Sequence, residues 1–189
     1  MRIIAGEKRG FSLFAPAGQQ TRPTLSRVRE SVFSILGDRV IDARAVDLFA
    51  GAGTLGFEAL SRGAEHCVFV ERARPALEAL RRNATKLCYN DRISIAAEDA
   101  GRWLRAQLPH AADPFTLVMA DPPYGSNLAK LLEQIEAYVP LAPDAAVMIQ
   151  CGVRETPPPP SRLRLARSEK YGDTAVHFYL CDAPAARVG

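Results

Sequence analysis

Two short stretches of this chain combine residue types and spacings that could do chemistry. The first is Gly51-Ala52-Gly53-Thr54-Leu55-Gly56, which follows the apolar run Ala45-Val46-Asp47-Leu48-Phe49-Ala50 and leads straight into a helical pattern. Strand, glycine turn and helix in that order form a nucleotide-binding crossover. Here Gly51 permits the tight turn, Gly53 lets the backbone approach a ligand, and Gly56 lets helix and strand pack closely. Phe49, Ala50 and Thr54 flank the turn and belong to the same expected ligand site. A second apolar run, Cys67 to Val70, ends in Glu71-Arg72, where a carboxylate can accept both hydroxyls of a ribose. The other stretch is Asp121-Pro122-Pro123-Tyr124, directly after the apolar run Phe115 to Ala120. It suits an attack by an exocyclic amine of a nucleobase, whose lone pair is delocalised into the ring. Two acceptors, the Asp121 carboxylate and the Pro122 carbonyl, can draw such a nitrogen toward tetrahedral geometry. Two prolines remove backbone donors and limit φ, which holds those acceptors rigidly. Tyr124 offers a flat face on which a flipped base can stack.

The choice of cofactor turns on Asp47, a carboxylate inside the first strand. A dinucleotide fold sets the glycine turn against pyrophosphate, which an adjacent acid would repel. S-adenosylmethionine (SAM) has no phosphate and carries an α-ammonium and a sulfonium, both suited to an acid. D-P-P-Y is the catalytic signature of amino-group methyltransferases, so the two motifs together point to a SAM-dependent N-methyltransferase. After the third strand, Glu98-Asp99-Ala100 stands where such enzymes commonly contact the adenine amino group; Asp99 equally suits a helix cap. Three other readings stay open. A DNA adenine-N6 or cytosine-N4 methyltransferase would use the same D-P-P-Y chemistry. An NAD-dependent oxidoreductase would use the glycine loop, against the charge of Asp47. A non-catalytic RNA-binding module would retain the fold without the reaction.

A length of 189 residues, 48% hydrophobic and 24% charged, fits one domain spanning 1–189 with a substantial core. No apolar run approaches a membrane span, and the opening Met1-Arg2-Ile3-Ile4 is too short for a secretory signal. Cys67, Cys88, Cys151 and Cys181 are scattered, which argues for buried thiols in a reducing cytoplasm and against a zinc site or a disulfide framework. No metal site and no membrane contact are expected, and a monomer is the default. The net charge of +3 is unevenly placed. Residues 1–39 carry Arg2, Lys8, Arg9, Arg22, Arg27, Arg29 and Arg39 against only Glu7, Glu30 and Asp38. That segment, 1–39, reads as a basic extension that docks RNA and covers the cofactor, with Arg2, Lys8, Arg9, Arg22, Arg27 and Arg29 as candidate contacts; Arg27 and Arg29, off the apolar stripe of their helix, could meet either phosphate or the carboxylate of SAM. Simple solvent exposure is the plainer account of the same residues.

The elements that must position these groups follow from periodicity. Residues 1–20 read as an extended segment with turns at Gly6, Gly10 and Pro16-Ala17-Gly18. Thr24 is the expected N-cap of a helix with Leu25, Val28, Val32, Ile35 and Leu36 on one face, ended by Gly37. A helix is predicted over 73–89 with Pro75 in its first turn, a third strand over 93–97, and a helix over 126–138. The fifth strand is predicted over 145–150, and 163–181 reads as a hairpin about Lys170-Tyr171-Gly172-Asp173. Pro157 to Pro160 is a stiff surface loop. Strands alternating with helices give an α/β doubly wound sheet with the ligand at the carboxyl ends of its strands.

Nearly the whole chain resembles the RsmD type of bacterial methyltransferase. The resemblance lies in Met1-Arg2-Ile3-Ile4-Ala5-Gly6, Arg22-Pro23-Thr24 with Arg27-Val28-Arg29-Glu30, Asp47-Leu48-Phe49-Ala50-Gly51, Leu60-Ser61-Arg62-Gly63-Ala64 and Asp121-Pro122-Pro123. It implies a Rossmann-like seven-stranded methyltransferase sheet, mostly parallel with an antiparallel C-terminal hairpin strand, flanked by helices. It further implies SAM as cofactor and methylation of a guanine N2 amine in 16S ribosomal RNA, at position 966, within the small ribosomal subunit. Two residues depart from the expected pattern: Tyr124 where Phe is also common, and Gln150 where an acid is expected. No insert of the kind used to read DNA sequence interrupts the chain, which suits a base presented by a folded RNA surface.

Overall fold

A computed structural model describes residues 1–16, 24–107, 113–155 and 157–182. In chain order it contains α1 (Thr24–Leu36), β1 (Arg44–Leu48), α2 (Thr54–Ser61), β2 (His66–Val70), α3 (Arg74–Leu87) and β3 (Ile93–Ala96). These are followed by α4 (Ala100–Arg105), β4 (Phe115–Ala120), α5 (Leu128–Tyr138), β5 (Leu141–Gly152), β6 (Leu163–Tyr171) and β7 (Thr174–Cys181). The strands form one seven-stranded sheet in the order β3-β2-β1-β4-β5-β7-β6. β1 to β5 run parallel, and β7 is antiparallel to both β5 and β6. This is the expected methyltransferase sheet.

The central strands read as continuous apolar runs because helices cover both faces of a parallel sheet. Alternation then divides them between two apolar clusters. Ala45, Leu117 and Met119 pack with Val32, Phe33, Phe57, Leu60, Phe69 and Leu80 on the face carrying α1, α2 and α3. Val46, Leu48, Val118 and Ala120 pack with Trp103, Leu104, Leu132 and Ile135 on the face carrying α4 and α5. Strand order reverses between β1 and β4, so a crevice opens beyond their carboxyl ends, where ligands of such sheets bind.

Boundaries differ where local hydrogen bonds decide them. α5 begins at Leu128 because the Asn127 side chain accepts from the Lys130 N–H. β5 extends back to Leu141, pairing Phe115 with Leu141 before the register shifts to Leu117 with Ala146. Asp144, with φ 59°, lies within that irregular stretch. α1 starts at Thr24 itself, so the expected N-cap position falls one residue earlier, outside the described residues. Arg22 and the Ala17-Gly18 part of the predicted turn also lie outside them. Cys67, Cys151 and Cys181 are buried as expected, but Cys88 is exposed at the left-handed C-cap of α3. Among the described residues no helix is long and apolar enough to cross a membrane.

The N-terminal segment departs furthest from expectation. Instead of an extended arm it turns back on itself, with Arg2 bridged to Ser12 and the Ile3 and Gly10 amides donating to Phe11 and Ile3 carbonyls at 2.9 Å. Ile3 and Leu13 are buried in the core. Buried Glu58 of α2 accepts from the Ile4 and Ala5 amides at 2.8 and 3.0 Å, and Ser61 donates to the Ala5 carbonyl at 2.6 Å. Asn83 of α3 brackets the Phe14 backbone, accepting from its N–H at 2.7 Å and donating to its carbonyl at 3.0 Å. The approach is close enough that a Cβ at Gly6 would stand 1.7 Å from the Ser61 carbonyl oxygen. The segment pairs some of its backbone donors within itself, and polar side chains of the body accept from those of Ile4, Ala5, Lys8 and Phe14.

Candidate active site

The glycine turn sits at the carboxyl end of β1 and is shaped mainly by packing. Gly53 is the N-cap of α2 with φ 82°, and a Cβ there would lie 2.5 Å from the Phe57 ring. A Cβ at Gly56 would lie 2.2 Å from the Phe69 ring, which is the close helix–strand contact the sequence predicted. At Gly51, with φ 57°, a Cβ would meet nothing within 4 Å. The roles are therefore redistributed: Gly53 makes room for Phe57, and Gly51 is the glycine that faces open space.

Three carboxylates ring this turn, each held by nearby backbone N–H groups. Asp47, 1% exposed, accepts from the Gly56 N–H at 2.9 Å. Burial pushes its carboxyl up to about 7; the Gly56 bond opposes this, and the charges of Asp121 and Glu71 add to it. Glu71 accepts from Gly51 N at 2.8 Å with one oxygen, and from Arg72 N and Ala73 N at 2.8 and 2.6 Å with the other. The predicted ribose acceptor thus also ties the end of β2 to the glycine turn. Asp99 caps α4, accepting from Gly101 and Arg102 amides at 3.0 and 3.3 Å, and pairs with exposed Arg72 at 3.3 Å. Of its two expected roles the structure displays the cap.

Two cavities flank the glycine turn. One of about 160 Å³ is bounded by Met1, Arg29, Asp47, Phe49, Gly51 and Thr54, and reaches Asp121 and Gln150. Another of about 590 Å³ runs past Phe49, Gly51, Glu71, Asp99, Ala100 and Asp121. Acids outnumber bases along both, which favours a ligand with positive charge and disfavours a pyrophosphate. The groups present therefore suit SAM: Asp47 for cationic atoms, Glu71 for hydroxyls, and the open face of Gly51 for close approach.

Asp121-Pro122-Pro123-Tyr124 leaves the carboxyl end of β4 beside these cavities. Protein surrounds the Asp121 carboxyl on most sides although the residue itself opens to solvent. Burial pushes it up to about 6, against a hydrogen bond from Gln150 Nε2 to its Oδ1 at 2.9 Å. Tyr124 is 71% exposed, an unusual state for a large ring and consistent with a surface kept free for another ring. A third cavity of about 420 Å³ lies on its side of the loop, bounded by Val28, Asp121, Pro122, Tyr124, Gln150 and Tyr171 among others. The β6–β7 turn that closes it is tied to α1 by a hydrogen bond between the Ser31 and Tyr171 hydroxyls.

The basic residues separate into distinct groups. Exposed Arg2, Arg9 and Arg27 border one surface notch beside α1. Lys8 is half-buried, its ammonium 5.5 Å from the centre of the Tyr89 ring. Arg29 is removed from the RNA set: it is 4% exposed, 3.4 Å from Glu58 Oε2, and donates through its other nitrogen to the Arg2 carbonyl at 2.5 Å. Its Nε approaches Glu58 without the alignment of a hydrogen bond. The α1 stripe was read from its apolar residues, and the buried acid on α2 that draws Arg29 inward had no signal in that periodicity. Val28, Gln150 and Tyr171 were likewise not marked as site residues. Gln150 was noticed only as a departure from an expected acid.

Known proteins are similar to this chain in sequence and fold. The family described as "Conserved hypothetical protein 95" matches residues 1–180. A Bacillus subtilis (strain 168) protein named "Putative rRNA methyltransferase YlbH" is 39% identical over 181 residues, covering 95% of this chain and 98% of its own. "Ribosomal RNA small subunit methyltransferase D" of Escherichia coli (strain K12) is 32% identical over 186 residues, 97% of this chain and 91% of its own. A solved Escherichia coli structure, "Putative methyltransferase yhhF", superimposes with a TM-score of 0.85 at 31% identity, over 97% of this chain and 99% of its own. The fold extends to an RNA methyltransferase from Salinibacter ruber in complex with S-adenosyl-L-homocysteine, with a TM-score of 0.63. The chain belongs to the RsmD-type family of ribosomal RNA methyltransferases.

Proposed function

We propose that this protein transfers the methyl group of SAM to the N2 amine of guanine 966 of 16S ribosomal RNA in the small ribosomal subunit. The observation that carries the reading is the position of Asp121: it borders the two acid-rich cavities beside the glycine turn and the cavity beside Tyr124. Bound SAM supplies an electrophilic methyl group on sulfur. Asp47 faces its cationic end, Glu71 its ribose, and Asp99 with Ala100 its adenine, alongside Phe49, Ala50, Gly53, Thr54 and Arg72. On the other side Tyr124 stacks the flipped guanine, while Asp121 and the Pro122 carbonyl accept from its amine, the loop being stiffened by Pro123. With the amine so held, the methyl carbon would pass from sulfur to nitrogen, the carbon–sulfur pair staying on sulfur, and Asp121 would keep the nitrogen lone pair directed at it. The methylated amine then gives up a proton to Asp121 or to water.

The N-terminal segment supplies the RNA contact in this reading. Arg2, Arg9 and Arg27 form a basic face bordering one notch, suited to the phosphates of a folded RNA. The curated relative in Escherichia coli is named for the small subunit, which supports the same substrate class here. The test is methyl incorporation from labelled SAM into unmodified small ribosomal subunits, naked 16S RNA and duplex DNA, with digestion to nucleosides. N2-methylguanosine from subunits, with little label in DNA, is the expected result. N6-methyladenine or N4-methylcytosine from DNA would replace the substrate while keeping the chemistry of Asp121.

A further inference from the structure

Among the described residues, two border both the cofactor cavity beside Asp47 and the cavity beside Tyr124: Asp121 and Gln150. They are also bonded to each other, Gln150 Nε2 donating to Asp121 Oδ1 at 2.9 Å. The sheet brings them together. β4 and β5 are parallel with Ala120 opposite Ile149, so the next residues along each strand, Asp121 and Gln150, emerge side by side at the carboxyl ends. Register thus aligns two residues twenty-nine positions apart at the boundary where a methyl group would cross. An ionised carboxylate only accepts hydrogen bonds, which fixes the Gln150 amide with its nitrogen toward Asp121.

We propose that Gln150 is the positioning residue for methyl transfer: its amide holds Asp121 Oδ1, so that Oδ2 is the oxygen presented to the target amine. This rests on the methyltransferase reading given above. A neutral donor suits the place, because the surroundings of Asp121 are already acidic. Across the cofactor side it shares cavity walls with Asp47, Glu71, Glu98 and Asp99, against Arg29 and the ion-paired Arg72. Toward the base side stand Cys151, Tyr124, Tyr171 and Asp173. No lysine or arginine in these walls bonds Asp121, and Gln150 supplies the one side-chain hydrogen bond it receives among the described residues. The acid expected at position 150 would hold Asp121 through a shared proton, where Gln150 does so with a neutral N–H.

The consequence is a link between residue 150 and the acidic limb of the rate. Asp121 accepts best when ionised, so activity falls as pH drops through its pKa; the Gln150 donor keeps that limb low, and removing the donor moves it up. The experiment compares the parent, Gln150→Leu and Gln150→Glu in single-turnover methylation of small subunits across pH. In parallel, ¹³C NMR follows the Asp121 carboxyl in the protein without RNA. For Gln150→Leu the Asp121 titration and the acidic limb should both move upward by about one unit, with activity down about tenfold below the limb and only partly recovered above it, because Oδ2 is no longer held toward the amine. Gln150→Glu, which places the expected acid here, can bond Asp121 only through a shared proton, so it should raise the titration further while keeping activity near neutral pH. A uniform loss with an unchanged limb, or an unshifted Asp121 titration in a folded variant, would overturn the proposal. A shifted titration in a protein whose parent methylates no ribosomal guanine would instead uphold the coupling and reject the substrate.

Discussion

The two walls of the cleft are built in different ways. On the cofactor wall each acid is held by a backbone N–H close by in sequence: Asp47 by Gly56, Asp99 by Gly101 and Arg102, Glu71 by Arg72 and Ala73. The base wall is gathered from Val28 of α1, the Asp121 loop, Gln150 of β5 and the β6–β7 turn. Its tying contacts span the chain, Gln150 with Asp121 and Ser31 with Tyr171. The part of the cofactor wall around Glu71 and Asp99 is set once β1, β2 and β3 are paired, and Met1 and Arg29 complete it beside Asp47. The other wall exists only when both ends of the chain have docked. Damage should therefore spread differently from the two sides.

The most severe test of that contrast is Glu58→Ala. Glu58 is fully buried and joins Ile4 N, Ala5 N, Arg29 and Arg62, so its loss leaves buried donors and a charge without a partner. A loss of about 3–5 kcal/mol is expected by denaturant unfolding, with release of α1 from the base wall. Next comes Asp121→Asn, which should lower the methylation rate about 10²–10³-fold with an unchanged melting temperature. If its activity matches the parent, the shared position of Asp121 between the cavities has no chemical meaning.

Tyr124→Ala should weaken RNA binding by about 1–3 kcal/mol, leave SAM affinity alone, and be largely rescued by Tyr124→Phe. On the opposite wall, Asp47 makes SAM affinity depend on pH. Its carboxyl is raised to about 7 by burial, so the free protein keeps this group protonated at low pH and loses the associated stability as pH rises through that value. A cationic ligand favours the ionised form, hence SAM affinity should climb about tenfold per unit toward pH 7 and then level. Calorimetric titration of the parent and Asp47→Asn checks this, the variant losing the slope. The smallest effect separates neighbouring arginines. Arg27→Ala should reduce the salt dependence of log affinity for RNA by about 1 without altering melting. Arg29→Ala should lower the melting temperature instead, because Arg29 is buried against Glu58.

What could be read ahead followed the same division. Asp47, Gly51, Glu71, Asp99 and Asp121 all fall near strand ends by local pattern: an apolar run, a turn, a helix start. Each depends on residues within a few positions, where spacing and covalent geometry dominate. The reading failed where a distant partner decided the outcome. Arg29 lay off the apolar stripe of α1 and was expected near solvent, yet Glu58 on α2 draws it into the core. The N-terminal segment has no periodic pattern that announces its fold-back; Glu58, Ser61 and Asn83, distant in sequence, anchor it by accepting from Ile4, Lys8 and Phe14 amides.

By itself the sequence determined the sheet, the glycine turn and the presence of an acid and an aromatic ring at the end of β4. Periodicity and turn chemistry act over a few residues and leave little freedom there. Tertiary structure alone decided which residues share the cleft with Asp121. Parallel register sets Gln150 beside it, and the docking of the first helix and last hairpin brings Val28 and Tyr171 to its far side. Those contacts join residues far apart in the chain, whose meeting depends on how every intervening strand pairs.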